Sequence, residues 1–393
     1  MLDPSAEVRR RIYLDNAATS WPKSSAALEA AETFSRLCGA TAGRGAYSSG
    51  LEADRWLLSA RTNLSRLIKS DGAASVAICS SGTHALNAAL WGLIRPGDHV
   101  ITTEMEHNSC LRPLKNLETH WGVKLSCVPC DADGFVDPQH AELLVGPETK
   151  WFVIGHASNV TGRLQDIARW SELAQRSRAQ LIVDASQTVA YIPIDFQASR
   201  IDVLAAAGHK GLRALAGTGL LVLRSELQAH LRPLMYGGTG FASEQLSDSQ
   251  RWPQSVEVGN LNMPGVVSLA VAAAEAEQHL AANSSLWRAR LQQLVDGLRL
   301  IDGVELIGWE VDRDLEKRIP VVSLRIEGWE PHDVASVLDS FGIEARAGWH
   351  CAALVHQHLG TAHQGGTLRL SPGVSTTVEE IDFTLSVLRQ LLS

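Results

Sequence analysis

Residues Ser75–Thr102 read SVAICSSGTHALNAALWGLIRPGDHVIT, and this stretch decides the fold. Ser75–Cys79 (SVAIC) has the short apolar character of a buried strand, and Gly82–Ile94 after it follows a helical pattern. His99–Thr102 (HVIT) is the next strand. Working outward, the same alternation continues. Val123–Val128, Trp151–Gly155 (WFVIG), Leu181–Asp184 (LIVD), Val203–Ala206 and Gly219–Leu223 (GLLVL) read as strands. Helical stretches start at Ser109 and cover Gln165–Gln175. Strands separated by helices need crossover connections, which predicts an α/β fold with a mostly parallel sheet.

The 393 residues suit two or three domains. A polar, glycine-rich loop, Tyr236–Asn262, is followed by an alanine-rich helix at Val266–Ala282. A smaller second domain is expected to begin near that helix, with a strand at Val321–Ile326 and helices at Pro331–Ser340 and Val378–Leu392. Hydrophobic residues make up 45% and charged residues 20%, which excludes a disordered chain. The formal charge is −8, so no basic footprint for nucleic acid exists. No apolar run reaches the ~18 residues of a membrane span. The N-terminal stretch lacks an apolar signal region, and a cytoplasmic protein is expected. Six cysteines in so long a chain do not make a disulfide framework.

Ala205–Gly219 (AAAGHKGLRALAGTG) runs a strand into a glycine, then His209 and Lys210, then a loop of small residues. A lysine is ordinarily a solvated surface charge. Held after an apolar strand, it loses hydration, and the free amine becomes nucleophilic toward aldehydes. A Schiff base to pyridoxal phosphate is the leading reading of Lys210. In Leu181–Gln187 (LIVDASQ), Asp184 closes a strand, where open α/β sheets bind ligands. A carboxylate there keeps a pyridinium nitrogen protonated, although strand-end aspartates also cap helices. Ser80–Leu90 (SSGTHALNAAL) is a strand end, a turn and a helix start, where free N–H groups favour a phosphate. Gly82 admits close backbone approach and Thr83 adds a hydroxyl; the plainer reading is an ordinary N-cap. In EMEHNS (Glu104–Ser109), His107 is either a ring to stack on a cofactor or a satisfied structural histidine. In SNVTG (Ser158–Gly162), Asn159 either bonds a cofactor's phenolic oxygen or serves the turn.

Arg346–Ala352 (RAGWHCA) places Cys351 after His350. A thiol is nucleophilic only as thiolate, and a neighbouring imidazolium or arginine lowers its pKa. In GGTLRLSPG (Gly365–Gly373), Arg369 lies in a short apolar strand. It either matches a substrate carboxylate bidentately or decorates the sheet. Cys127 and Cys130 form a CxxC. Without a second pair or histidines at ligand spacing it reads as structural, and no metal is expected.

These motifs, with YLDNAATSWP at Tyr13–Pro22, GRG at Gly43–Gly45 and the VEVGN run, occur in one order over nearly the whole chain. The set resembles the cysteine desulfurases of the class V aminotransferase family, pyridoxal-phosphate (PLP) enzymes of fold type I. The compact Arg-x-Gly-x-His-Cys-Ala loop is similar to that of the type II branch. The resemblance implies a large domain at 21–262 with a mostly parallel seven-stranded sheet. It further implies a smaller α+β domain at 263–393 that carries the catalytic cysteine, and a segment at 1–20 packing on that domain. Lys210 would carry the cofactor and act as acid and base, Asp184 would pair with the pyridinium, and Gln187 and Asn159 would contact the phenolic oxygen. His107 would stack on the ring and relay protons. Gly82, Thr83 and His209 would hold the phosphate, and Asn260 would reach the site of the partner subunit in a homodimer. Arg369, with Asn16 and Arg346, would bind L-cysteine, and Cys351 would attack its sulfur. The products would be L-alanine and a persulfide destined for an acceptor protein, iron–sulfur cluster assembly being one such destination. Selenocysteine lyase, another PLP-dependent lyase or epimerase, and a non-catalytic scaffold are the alternatives. Three departures stand out: Ala207 where relatives carry serine, Asn260 in place of threonine, and Trp349 in place of histidine.

Overall fold

The computed structural model describes residues 11–43, 45–238, 251–311 and 313–392. Arg44 of the GRG run, the first ten residues of the expected N-terminal segment, and 239–250 of the glycine-rich loop lie outside the described residues. The chain opens with β1 (Ile12–Tyr13), α1 (Ser25–Leu37) and α2 (Ser48–Ile68). An alternating series follows: β2 (Val76–Cys79), α3 (Gly82–Leu93), β3 (His99–Thr103), α4 (Asn108–Trp121), β4 (Lys124–Val128) and α5 (Pro138–Glu142). It continues through β5 (Thr149–Gly155), α6 (Ile167–Arg176), β6 (Gln180–Asp184), β7 (Val203–Ala207), β8 (Gly219–Leu223) and α7 (Ser225–Gln228).

Seven of these strands form one sheet in the order β2-β8-β7-β6-β5-β3-β4. Every pairing is parallel except the two made by β8, which is antiparallel to both β2 and β7. Two reversals cancel, so β2 points the same way as β7. The carboxyl ends of β2, β3, β5, β6 and β7 therefore share one edge, the edge at which such sheets bind ligands. Both faces are covered. Ile78, Ile101, Phe152, Leu181 and Leu204 point into one core, and Ala77, Val100, Val153, Ile182 and Val203 into the other. Burial on both sides explains why the strands read as continuous apolar runs and not as alternation.

Next comes α8 (Met263–Arg299), 37 residues long. The expected helix at Val266–Ala282 is thus only its first half. Asn283, Ser284 and Ser285 are weak helix formers and blur the pattern, but packing overrides propensity. Met263–Ala276 joins the first core, while Trp287, Leu291, Leu294 and Leu298 enter a third. The remaining elements are β9 (Val304–Ile307), β10 (Val322–Ile326), α9 (Pro331–Ser340), β11 (Ile343–Glu344), β12 (Arg346–Gly348), α10 (Ala353–His358), β13 (Thr367–Leu370) and α11 (Val378–Leu391). Here β12-β13-β10-β9 form an antiparallel sheet. The early strand β1 pairs parallel with β11, and Ile12 and Leu14 are buried in the third core.

Candidate active site

A cleft of about 250 Å³ opens at the shared strand edge and is walled on its far side by residues of β12, β13 and the loop before α10. Gly82, Thr83, His107, Asn159, Asp184, Gln187, His209, Lys210, Arg346, Cys351 and Arg369 all line it. The structure leaves two expected residues outside the wall. The Asn16 amide donates to Tyr13 O and Ser371 O and accepts from the Trp21 N–H. Asn260 is exposed and accepts from the Thr41 hydroxyl of its own chain.

Lys210 follows β7 where the chain leaves the sheet. The preceding carbonyl, His209 O, accepts from Lys23 Nζ (2.7 Å), the Ser20 N–H (3.0 Å) and the Ser20 hydroxyl (3.1 Å). The YLDNAATSWP segment thereby clamps the turn that aims Lys210. Burial lowers the Lys210 pKa to about 8, partly opposed by the Asp184 carboxylate. About a tenth of the amine is therefore unprotonated at pH 7, a few hundred-fold above an ordinary lysine. Asp184 Oδ1 accepts the Ser186 N–H (2.9 Å) at the end of β6.

His107 caps α4, its Nδ1 accepting the Ser109 N–H (3.0 Å). Burial, with the Lys210 charge, depresses its pKa to about 4. The ring is thus neutral and presents Nε2–H. Its neighbour Glu106 was not singled out by the sequence. That carboxyl is buried, and Oε1 accepts from the Thr103 hydroxyl (2.7 Å) and the Gly155 N–H (3.0 Å). Burial outweighs those bonds and raises its pKa to about 8.

At the α3 terminus Ser81 is the N-cap, accepting the His84 N–H. A side chain at Gly82 would meet Ser186 Oγ at 2.7 Å and Ala207 N at 3.3 Å, so glycine keeps this end open. The same contacts show a hydroxyl, Ser186, beside Ala207 and lining the cleft. The serine expected at the Ala207 position is absent, but a hydroxyl is present nearby.

The opposite wall gathers cations. Arg346 and Arg369 are directly opposed across β12 and β13. Like charges in register repel, and Asp15 holds them: Arg369 Nη2 donates to its Oδ1 (2.8 Å) and Arg346 Nε to its Oδ2 (3.0 Å). Two guanidiniums against one carboxylate leave a net positive charge for an anion. Buried Arg369 also donates to Asn159 O (3.0 Å) and keeps Nε without a partner. Asp15 was visible in the quoted motif, but its role requires the fold.

Cys351 is exposed. It and His350 both adopt left-handed backbone, with φ of 57° and 48°, which costs of order 1–3 kcal/mol per residue. The strain is held by cross-links to the segments that follow β3 and β5 of the large sheet. The Asn108 N–H donates to Cys351 O (2.8 Å), and the Asn159 amide donates to His350 O (2.6 Å). A side chain at Gly366 would strike the Gly348 carbonyl, so glycine is needed where the chain entering β13 meets the end of β12. One expectation is corrected here. His350 is not an imidazolium beside the thiol. Its Nε2 faces Thr367 O (3.1 Å), and burial holds its pKa well below the usual value.

The residues fit pyridoxal phosphate. The cleft combines an open helix N-terminus, a strand-end carboxylate, a desolvated lysine and a neutral imidazole. A family model described as aminotransferase class V matches residues 12–383. The chain is similar to a probable cysteine desulfurase of Methanothermobacter thermautotrophicus, 31% identical over 98% of this chain and 95% of the relative. It is also similar to one of Pyrococcus abyssi, 30% identical over 97% and 94%. Its structure resembles the apo cysteine desulfurase of Thermococcus onnurineus NA1, with a TM-score of 0.90 and 28% identity over 97% and 94% of the two chains. The chain belongs to the aminotransferase class V family.

Proposed function

We propose that the chain is a PLP-dependent cysteine desulfurase. It converts L-cysteine to L-alanine and leaves the sulfur as a persulfide on Cys351. The observation that carries this reading is the exposed Cys351 thiol at the mouth of a cleft lined by Lys210 and Asp184. Gly82, Thr83 and His209 would hold the cofactor's phosphate, Asp184 its ring nitrogen, and Gln187 and Asn159 its phenolic oxygen. One amide hydrogen of Gln187 already goes to Ala17 O (3.1 Å), and one of Asn159 to His350 O. Each amide keeps a second. Bound there, pyridoxal phosphate supplies an electron sink for charge at the substrate Cα.

Arg369 and Arg346 bind the substrate carboxylate and fix its orientation. The unprotonated Lys210 amine takes the Cα proton and later returns a proton. His107 Nε2–H donates into the cleft. The Cys351 sulfur attacks the substrate Sγ, the Cβ–Sγ bond breaks, and the carbon fragment leaves as alanine after taking up protons. Cysteine plus thiol gives alanine plus persulfide, so atoms balance and no outside oxidant is required.

The protein acts in the cytoplasm as a homodimer in which Asn260 reaches the partner's cleft, and it hands sulfur to an acceptor protein. No helix among the described residues is long and apolar enough to cross a membrane. The units are 21–262 and 263–393, although the first half of α8 seats in the core of the former; of the N-terminal segment, the pairing of β1 with β11 supports packing on the latter. The test is mass spectrometry after exposure to cysteine. One added sulfur on the peptide containing Cys351, with stoichiometric alanine, supports the reading. Alanine production that persists in Cys351→Ala sinks it.

A further inference from the structure

The CxxC pair reads as structural in sequence because no histidine lies at ligand spacing. The fold supplies one. Glu104 directly follows β3, Cys130 lies two residues after β4, and His358 ends α10. Their donor atoms, Glu104 Oε2, Cys130 Sγ and a His358 ring nitrogen, all lie within 4.8 Å of one another. We infer that Glu104, Cys130 and His358 form a binding site for a divalent cation of the zinc class, apart from the catalytic cleft.

Two observations favour a cation over a simple ion pair. Glu104 Oε2 is shut off from solvent and accepts no hydrogen bond, although His358 Nδ1 stands 2.8 Å away. The two groups approach without aligning as donor and acceptor, as ligands facing a common point do. Buried Cys130 completes the set with a soft donor. One thiolate, one imidazole and one carboxylate suit Zn²⁺ or Co²⁺ and disfavour Mg²⁺ or Ca²⁺. Tetrahedral zinc then has a fourth position, which water can reach past the partly exposed His358. Binding releases the Cys130 thiol proton to solvent.

The placement gives the site a structural effect. The helix α10 begins two residues after Cys351. A cation fastening its last residue to the ends of β3 and β4 would add a second tether for the sulfur-bearing loop, beside the one from Asn108.

The test is titration of the purified protein with cobalt(II) alone, in a Cys351→Ala background that removes the exposed cleft thiol. One cobalt per chain is expected, with visible ligand-field bands and a sulfur-to-metal charge-transfer band, both bleached by one equivalent of zinc. Cys130→Ala should abolish the charge-transfer band, and His358→Ala should weaken binding at least tenfold. His358 is exposed, so its loss leaves folding intact, which the metal-free melting temperature checks. The absence of saturable binding, binding unchanged in His358→Ala, or a band that follows Cys127 instead of Cys130 overturns the assignment.

Discussion

Lys210 and Cys351 face one cleft but are built in opposite ways. The lysine ends a strand that is covered on both faces, and its turn is clamped through the His209 carbonyl. The cysteine sits on an exposed loop in strained backbone, held by a few hydrogen bonds to Asn108 and Asn159 beyond the ends of β3 and β5. The contrast teaches a division of labour. Chemistry at carbon needs a fixed, dry amine, whereas a sulfur carrier must first meet the substrate and then a second molecule.

The largest test of that contrast is Lys210→Ala. It should remove the cofactor's visible absorbance and cut alanine formation by at least about 10²–10⁴-fold, measured by spectrophotometry and amino-acid analysis. Cys351→Ala should break the other half alone: the absorbance stays, and sulfide and alanine formation from cysteine are lost. Arg369→Lys replaces a fork with a point charge. It should raise KM for cysteine by about 10- to 100-fold, the worth of a charged hydrogen bond of ~1.5–3 kcal/mol. Asp15→Asn frees the two arginines from their shared anchor without removing either. A smaller rise in KM is expected, roughly 2- to 10-fold, with kcat nearly unchanged.

The last test concerns Glu106 and reads stability, leaving turnover aside. Its folded pKa, about 8, lies above its ordinary value of 4.5. The native state therefore keeps a proton that the unfolded chain has lost, and this contribution to stability fades as pH rises from 4.5 through 8. Glu106→Gln cannot lose that proton. Denaturant unfolding across this range should show a shallower decline for the variant than for the parent.

How much of this was legible in the sequence differed between the two halves. Strands of the large sheet announced themselves because burial on both faces writes unbroken apolar runs, and their ends carried Lys210, Asp184 and His107 in recognisable company. Short strands such as β11 and β12 have too few residues to show a period. The helix α8 was cut short because its middle is composed of residues with weak helical preference. Asp15 and Glu106 lay inside quoted motifs but were unreadable as partners. Their roles come from meeting Arg346, Arg369 and Gly155, distant in the chain. The His350 expectation failed for the same reason, since adjacency to Cys351 says nothing about where a ring turns.

The uninterrupted α8 has a mechanical consequence. At 1.5 Å rise per residue its 37 residues make a rod of about 55 Å, with one end seated among α1 and α2 and the other among β9 and α11. Severing it would leave two stumps, each missing a buried face, so fragments expressed separately should not reassemble well. Under a pulling force applied at the termini, the molecule should give way in a single event, because the girder belongs to both ends at once.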